Sequence, residues 1–183
     1  DISSSEIEEF MTKVQNVDSA RALVEEMMTM KKSFRISRIV EVIVAAAMAT
    51  KASDIHVEPE EADVTLRFRI DGVLIKVSAF DHETYRLLLS RIKLLSGLKI
   101  NIKDNAQDGR FSVKVGEHEI EIRSSVLPGN YGESIVMRLL DPNSLSIPIE
   151  DLGVPPYLIE IFMREINKPH GMILNTGPTG SGK

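Results

Sequence analysis

The chain has 183 residues, 43% of them hydrophobic, with 27 acidic against 22 basic residues and a net charge of −5. That fits one or two compact domains and argues against a general nucleic-acid binder. There is no cysteine, hence no disulfide framework and no thiolate metal site. The longest apolar stretch, Val42 to Ala49, is far short of the roughly 20 residues a spanning helix needs. With no initiator Met and no signal peptide, the chain is expected to be a piece of a longer protein.

Residues 1–33 read as two short helices forming a linker segment. Ser5-x-x-Glu8 has the form of a capping box before Ile7, Phe10, Met11 and Val14, and Asp18 is placed to cap a second helix carrying Ala20, Leu23, Val24, Met27 and Met28. The methionines suit core packing or an adaptable partner surface. Ile36 to Thr50 is a stronger helix with one broad apolar face and an alanine run that suggests close packing on a sheet. Ile55 and Val57 alternate as in a strand, which Pro59 ends. Val64 to Ile70 alternates cleanly, Asp71-Gly72 is a type I′ hairpin signal, and Val73 to Val77 returns. This puts Arg67 and Arg69 on one face near Asp54, His56, Glu58 and Asp71, a pattern that suits Arg–carboxylate pairing. A lone histidine beside two carboxylates is weak grounds for a metal site, so none is assigned.

Glu83 to Leu95 reads as a helix stopped by Gly97, and Asn101 to Asp108 as a polar loop. Phe111–Val115 and His118–Val126 form a second hairpin around Gly116. Ile120 and Ile122 point inward, and Glu119, Glu121 and Arg123 share the other face. Glu133 to Leu140 is a further strand, with Arg138 opposite Ile135, Met137 and Leu139. The strands and two covering helices make residues 34–140 an α+β domain with an antiparallel sheet. Residues 141–154, with Pro142 and Pro148, read as a linker, and a helix opens at Pro155-Pro156. After the turn Lys168 to Gly171, Met172-Ile173-Leu174-Asn175 looks like a buried strand leading into Gly177-Pro178-Thr179-Gly180-Ser181-Gly182-Lys183, a G-x-x-x-x-G-K phosphate-binding loop. Chance alone yields that pattern in roughly one chain in twenty of this length. The strand-like run before it is what raises it above a Gly-rich tail.

Ala52-Ser53-Asp54-Ile55-His56-Val57-Glu58, Arg67 to Gly72, Gln107-Asp108-Gly109-Arg110, Gly132 to Leu140, Pro169-His170-Gly171 and the terminal loop occur in that order. From about residue 36 onward the chain thereby resembles the ATPases of type II secretion and type IV pilus assembly. The resemblance implies a PAS-like domain over 34–140 and the start of a RecA-like ATPase domain over 155–183. It implies ATP and Mg²⁺ as cofactors and a homo-hexamer on the cytoplasmic side of the inner membrane. The hexamer would be held there peripherally by a platform protein, with no nucleic acid involved. It places Arg123 and Arg138 on two arginines that reach the nucleotide phosphates, a role for which a fixed, always charged guanidinium is suited. The alternative read from the residues alone is that Arg123 simply pairs with Glu119 or Glu121 across the hairpin. Two other readings are a docking module that binds nucleotide without hydrolysing it, and an unrelated P-loop kinase or transporter ATPase, against which the ordered motifs speak. On its own the 183-residue chain is expected to be inactive.

Overall fold

A computed structural model describes residues 3–30, 32–140 and 148–177. The chain divides into two units, Asp1–Pro142 and Asn143–Lys183. The first runs α1 (Ser4–Thr12), α2 (Val17–Thr29), α3 (Lys32–Ala49), β1 (Asp54–Pro59), β2 (Val64–Ile70), β3 (Val73–Phe80), α4 (His82–Leu95), β4 (Gln107–Val115), β5 (His118–Leu127) and β6 (Ser134–Leu140). The second holds a short 3-10 turn, Ile149–Leu152, and α5 (Pro156–Ile166).

All six strands pair antiparallel in the order β3-β2-β1-β6-β5-β4, so an α+β fold is what forms. Period-two alternation buries Ile55, Val57, Leu66, Phe68, Ile122, Ile135 and Met137 on one face. Each such side chain contributes about 1.5–3 kcal/mol when fully buried. Onto that face pack Val40, Ile43 and Val44 of α3 with Leu88 and Ile92 of α4. α3 is covered on its other side by α1 and α2, whose Ile7, Phe10, Leu23, Val24 and Met27 are buried in the same core. A helix enclosed this way must be apolar nearly all round, which accounts for Ala45, Ala46 and Ala47. α2 also reaches one sheet edge, where Arg21 donates to the carbonyls of Lys76 and Val77 (3.2 and 3.1 Å). α1 reaches the far hairpin, where Glu8 accepts the Gly116 N–H (2.6 Å).

The Asp71-Gly72 turn has both residues at positive φ (49° and 81°), as a type I′ turn requires. Several local expectations are corrected. α1 starts after Ser3, whose side chain makes no cap bond, so Ser5 lies inside the helix. α2 is capped by Asn16, in a reciprocal box with Ser19, and Asp18 sits in the first turn. β3 runs on to Phe80, and β4 begins at Gln107, inside the stretch expected as a loop. Met172 to Asn175 forms no strand. It is exposed and pairs with no other strand among the described residues, and a strand without a neighbour has nowhere to place its backbone hydrogen bonds.

Candidate functional site

The sheet face opposite the core carries a transverse row fixed by register. Arg110 of β4 lies opposite Arg123 of β5, which lies opposite Arg138 of β6. Arg138 lies opposite Asp54 of β1, and Asp54 opposite Arg69 of β2. Neighbouring strands are about 4.8 Å apart, so four arginines and one aspartate cross five strands side by side. Two carboxylates hold them. Arg138 Nε donates to Asp54 Oδ1 at 2.9 Å, and Arg69 Nε lies 3.2 Å from Asp54 Oδ2. Arg123 Nε donates to Glu121 Oε1 at 2.8 Å, and Arg110 Nη1 is 3.8 Å from Glu121 Oε2.

Arg123 and Arg138 are both engaged only through Nε, and their side chains are each 66% exposed. Their terminal nitrogens have no other partner among the described residues. Like charges directly opposite each other in a sheet are destabilising, so the Arg123–Arg138 pair faces solvent as a site short of an anion. Asp54 is buried beneath this row. Burial raises its pKa, but hydrogen bonds from Arg138 and Ser53 and the charges of Arg138 and Arg69 outweigh that and hold it below the ordinary value. Glu121 is also held below its ordinary value: its hydrogen bond from Arg123 is the largest cause, burial opposes it, and the charges of Arg123 and then Arg110 add to the fall. Beside Arg110 and Arg123 the surface dips into a depression of about 430 Å³, also lined by Asp108, Gly109, Ser124 and Ser125.

Arg67 and Arg69 are more enclosed, each with a side chain 33% exposed. Arg67 is paired with Glu58, Arg69 with Asp54 and with the Gly72 carbonyl (3.1 Å). Half-buried His56 contacts Glu58 (Nδ1 to Oε1, 3.2 Å). Among the described residues no cluster of His, Cys, Asp or Glu could hold a metal ion, and no helix is long and apolar enough to cross a membrane. Of the expected phosphate loop only Gly177 is described. Pro178, Thr179, Gly180, Ser181, Gly182 and Lys183 lie outside the described residues.

Three pairings had no sequence signal. Arg138 to Asp54 joins residues 84 apart. Lys93 and Glu133 form a buried pair at 2.5 Å, and Arg91 reaches the buried Glu41 at 3.0 Å. Each depends on which non-consecutive elements are neighbours, and helical or strand periodicity carries no information on that.

Residues 29–183 match the family model described as Type II/IV secretion system protein. The type II secretion system protein E of Pectobacterium carotovorum subsp. carotovorum is 45% identical over 148 residues, which are 81% of this chain and 30% of that protein. The type IV pilus assembly ATPase PilB of Myxococcus xanthus is 40% identical over 161 residues, 87% of this chain and 28% of that protein. The X-ray structure of the Legionella pneumophila ATPase DotB superposes at a TM-score of 0.46 with 15% identity, over 66% of this chain and 33% of that one, a likeness too slight to build on. The chain thus spans about a third of the length of the curated relatives it matches. With the family model covering most of the chain and relatives of both kinds at 40% identity or more, it belongs to the family of type II secretion and type IV pilus assembly ATPases.

Proposed function

We propose that this chain is part of a motor that couples ATP hydrolysis to type II secretion or type IV pilus assembly, and that Arg123 and Arg138 act on the phosphates of bound nucleotide. The observation that carries the site is their placement face to face across β5 and β6, each tethered by Nε with its outer nitrogens exposed. That leaves on each guanidinium the edge that pairs with phosphate oxygens. Residues 34–140 would be the PAS-like domain of such a motor, with 155–183 opening a RecA-like domain whose Gly177–Lys183 loop holds the phosphates. Mg²⁺ bound with the nucleotide would neutralise phosphate charge. The working form would be a hexamer held at the inner membrane by a platform protein. The 183 residues alone would turn over no ATP, since residues 172–175 have no sheet to sit in among the described residues.

In the full-length parent, Arg123→Ala should lower turnover by roughly 10³-fold or more, as loss of an arginine finger does, with little change in melting temperature. Arg138→Ala should lower turnover similarly but also cost stability, because Asp54 is buried beneath it and loses a hydrogen bond. Arg67→Ala should act mainly on stability. Unaltered turnover in both Arg123→Ala and Arg138→Ala would overturn the assignment. A parent that binds ATP without any turnover would favour the docking-module reading.

A further inference from the structure

We propose that Arg110 is a third arginine of the phosphate-facing row, and that Glu121 is a built-in counter-anion which occupies Arg110 and Arg123 until a phosphate group replaces it. This rests on the reading that Arg123 and Arg138 face phosphate.

The two carboxylates that serve the row differ in kind. Asp54 accepts hydrogen bonds from Ser53 and Arg138, lies 3.2 Å from Arg69 Nε and has a side chain only 6% exposed, so it is a fixed part of the sheet. Glu121 is one-third exposed, and its only partners among the described residues are Arg123 and, more loosely, Arg110. It holds nothing in the core. Four arginines against two carboxylates leave two positive charges on the row, and the removable carboxylate sits at the Arg110–Arg123 end.

Arg110 is placed for this without being needed for the fold. Its neighbour Phe111 is buried on the opposite face, which fixes the direction in which Arg110 points. Its own side chain is 76% exposed and makes no hydrogen bond among the described residues, the 3.8 Å approach to Glu121 being too long for one. The adjoining depression contains one opposing charge, Asp108, whose Oδ1 accepts the Ser125 hydroxyl at 2.5 Å. An incoming phosphate is therefore directed to the Glu121 side, between Arg110 and Arg123. A phosphate carries more charge than a carboxylate and offers oxygens to two guanidinium forks at once. The exposed Glu121 pair that it displaces is worth little in water.

The exchange makes two substitutions act in opposite directions. Glu121→Gln removes the competing anion while keeping shape, and Arg110→Ala removes a ligand. Were both residues only structural, both changes would weaken binding or neither would matter. The test titrates the 183-residue chain with inorganic tripolyphosphate, followed through the Nε–Hε NMR signals of Arg110, Arg123 and Arg138. Glu121→Gln should tighten Kd and Arg110→Ala should weaken it, each by about three- to tenfold for one exchanged charge contact near the surface. Arg110→Lys should restore part of the loss. ATP in place of tripolyphosphate should give the same order of variants, and an order seen only with tripolyphosphate would overturn the assignment to a nucleotide's phosphates. If Arg123→Ala leaves binding unchanged, the underlying reading of the row fails. If Arg123→Ala weakens binding while Arg110→Ala and Glu121→Gln both match the wild type, the row stands and this proposal fails.

Discussion

At Asp54 and His56, neighbours on the outer face of β1, the fold displaces two proton equilibria in the same direction. Asp54 lies below its ordinary 3.8, because its hydrogen bonds and the arginine charges outweigh burial. His56 is pushed below 6.5, first by burial, then by the charge of Arg69, with Asp54 opposing and Arg67 adding to the fall. Glu58 touches the imidazole and would favour its protonated form, but that carboxylate is already bound by Arg67. Both groups bind protons more weakly in the folded chain than in the unfolded one. The stability they supply is therefore present above the unfolded pKa and lost as pH falls, His56's share from about pH 6.5 downward and Asp54's only below about 3.8. Melting temperatures between about pH 7.5 and 5 should fall for the wild type and fall less for His56→Gln, and parallel curves would place the titration elsewhere. Lys93 is a second residue-scale case. It is 1% exposed and donates to the Ile102 carbonyl (2.7 Å) and to Glu133, whose own carbonyl accepts the Tyr85 hydroxyl. Burial first, and the nearby Glu133 charge second, push the Tyr85 ionisation upward, so it remains a donor. Lys93→Met leaves Glu133 buried without its cation and should cost about 3–5 kcal/mol in urea unfolding. Adding Glu133→Leu should recover part of that, and a double variant no more stable than the single one would contradict the account.

At the scale of elements, the sheet was legible because its strands carry a period of two in branched and aromatic residues, and its helices a period near four. The faces on which Arg67, Arg123 and Arg138 lie follow from alternation alone. Gly97 was legible for a local reason. At φ 70° it lets Leu98 N–H reach the Lys93 carbonyl (2.8 Å) and its own N–H reach Leu94 (3.2 Å), closing α4. Where several polar residues compete for one local role, the sequence decides less. Asn16, Asp18 and Ser19 are all able to cap, and chain direction into the α1–α2 turn selects Asn16. Gln107 and Asp108 read as the end of a polar loop, yet pairing with β5 carries the strand through them and through Gly109 and Arg110. The structure gives that glycine a packing reason. A Cβ on Gly109 would lie 2.3 Å from the Ser96 carbonyl oxygen and 2.7 Å from a Leu98 methyl. Gly109→Ala must therefore push β4 and the end of α4 apart. It should cost about 1–3 kcal/mol, typical of overpacking, and should shift the amide signals of Arg110 and Phe111. A melting temperature equal to wild type would mean that the approach is not rigid.

For the whole molecule, the two units differ in what they bury. The first encloses a single core to which all four of its helices and all six strands contribute, and α1 and α2 are part of it. In the second, α5 buries none of its residues, and Leu158, Ile161, Phe162 and Ile166 are exposed. An isolated helix of 11 residues is marginal in water. Residues 1–142 should therefore melt cooperatively and within about 2 °C of the 183-residue chain, no more than the roughly 2–4 °C by which 1 kcal/mol shifts a domain of this size. Residues 143–183 alone should show little helix by far-UV circular dichroism. Residues 34–140 should be less stable than 1–142, because without α1 and α2 the outer side of α3 loses its cover. A non-cooperative melt of 1–142 would put the boundary in the wrong place. The same truncation separates two sources of phosphate binding. All members of the arginine row lie within 1–142, whereas Gly177–Lys183 does not. If 1–142 keeps the tripolyphosphate-dependent shifts of the Arg110, Arg123 and Arg138 side chains, the row binds phosphate on its own. Loss of those shifts on truncation, with the fold intact, would mean that the anion is held by the terminal loop and the arginines only follow it.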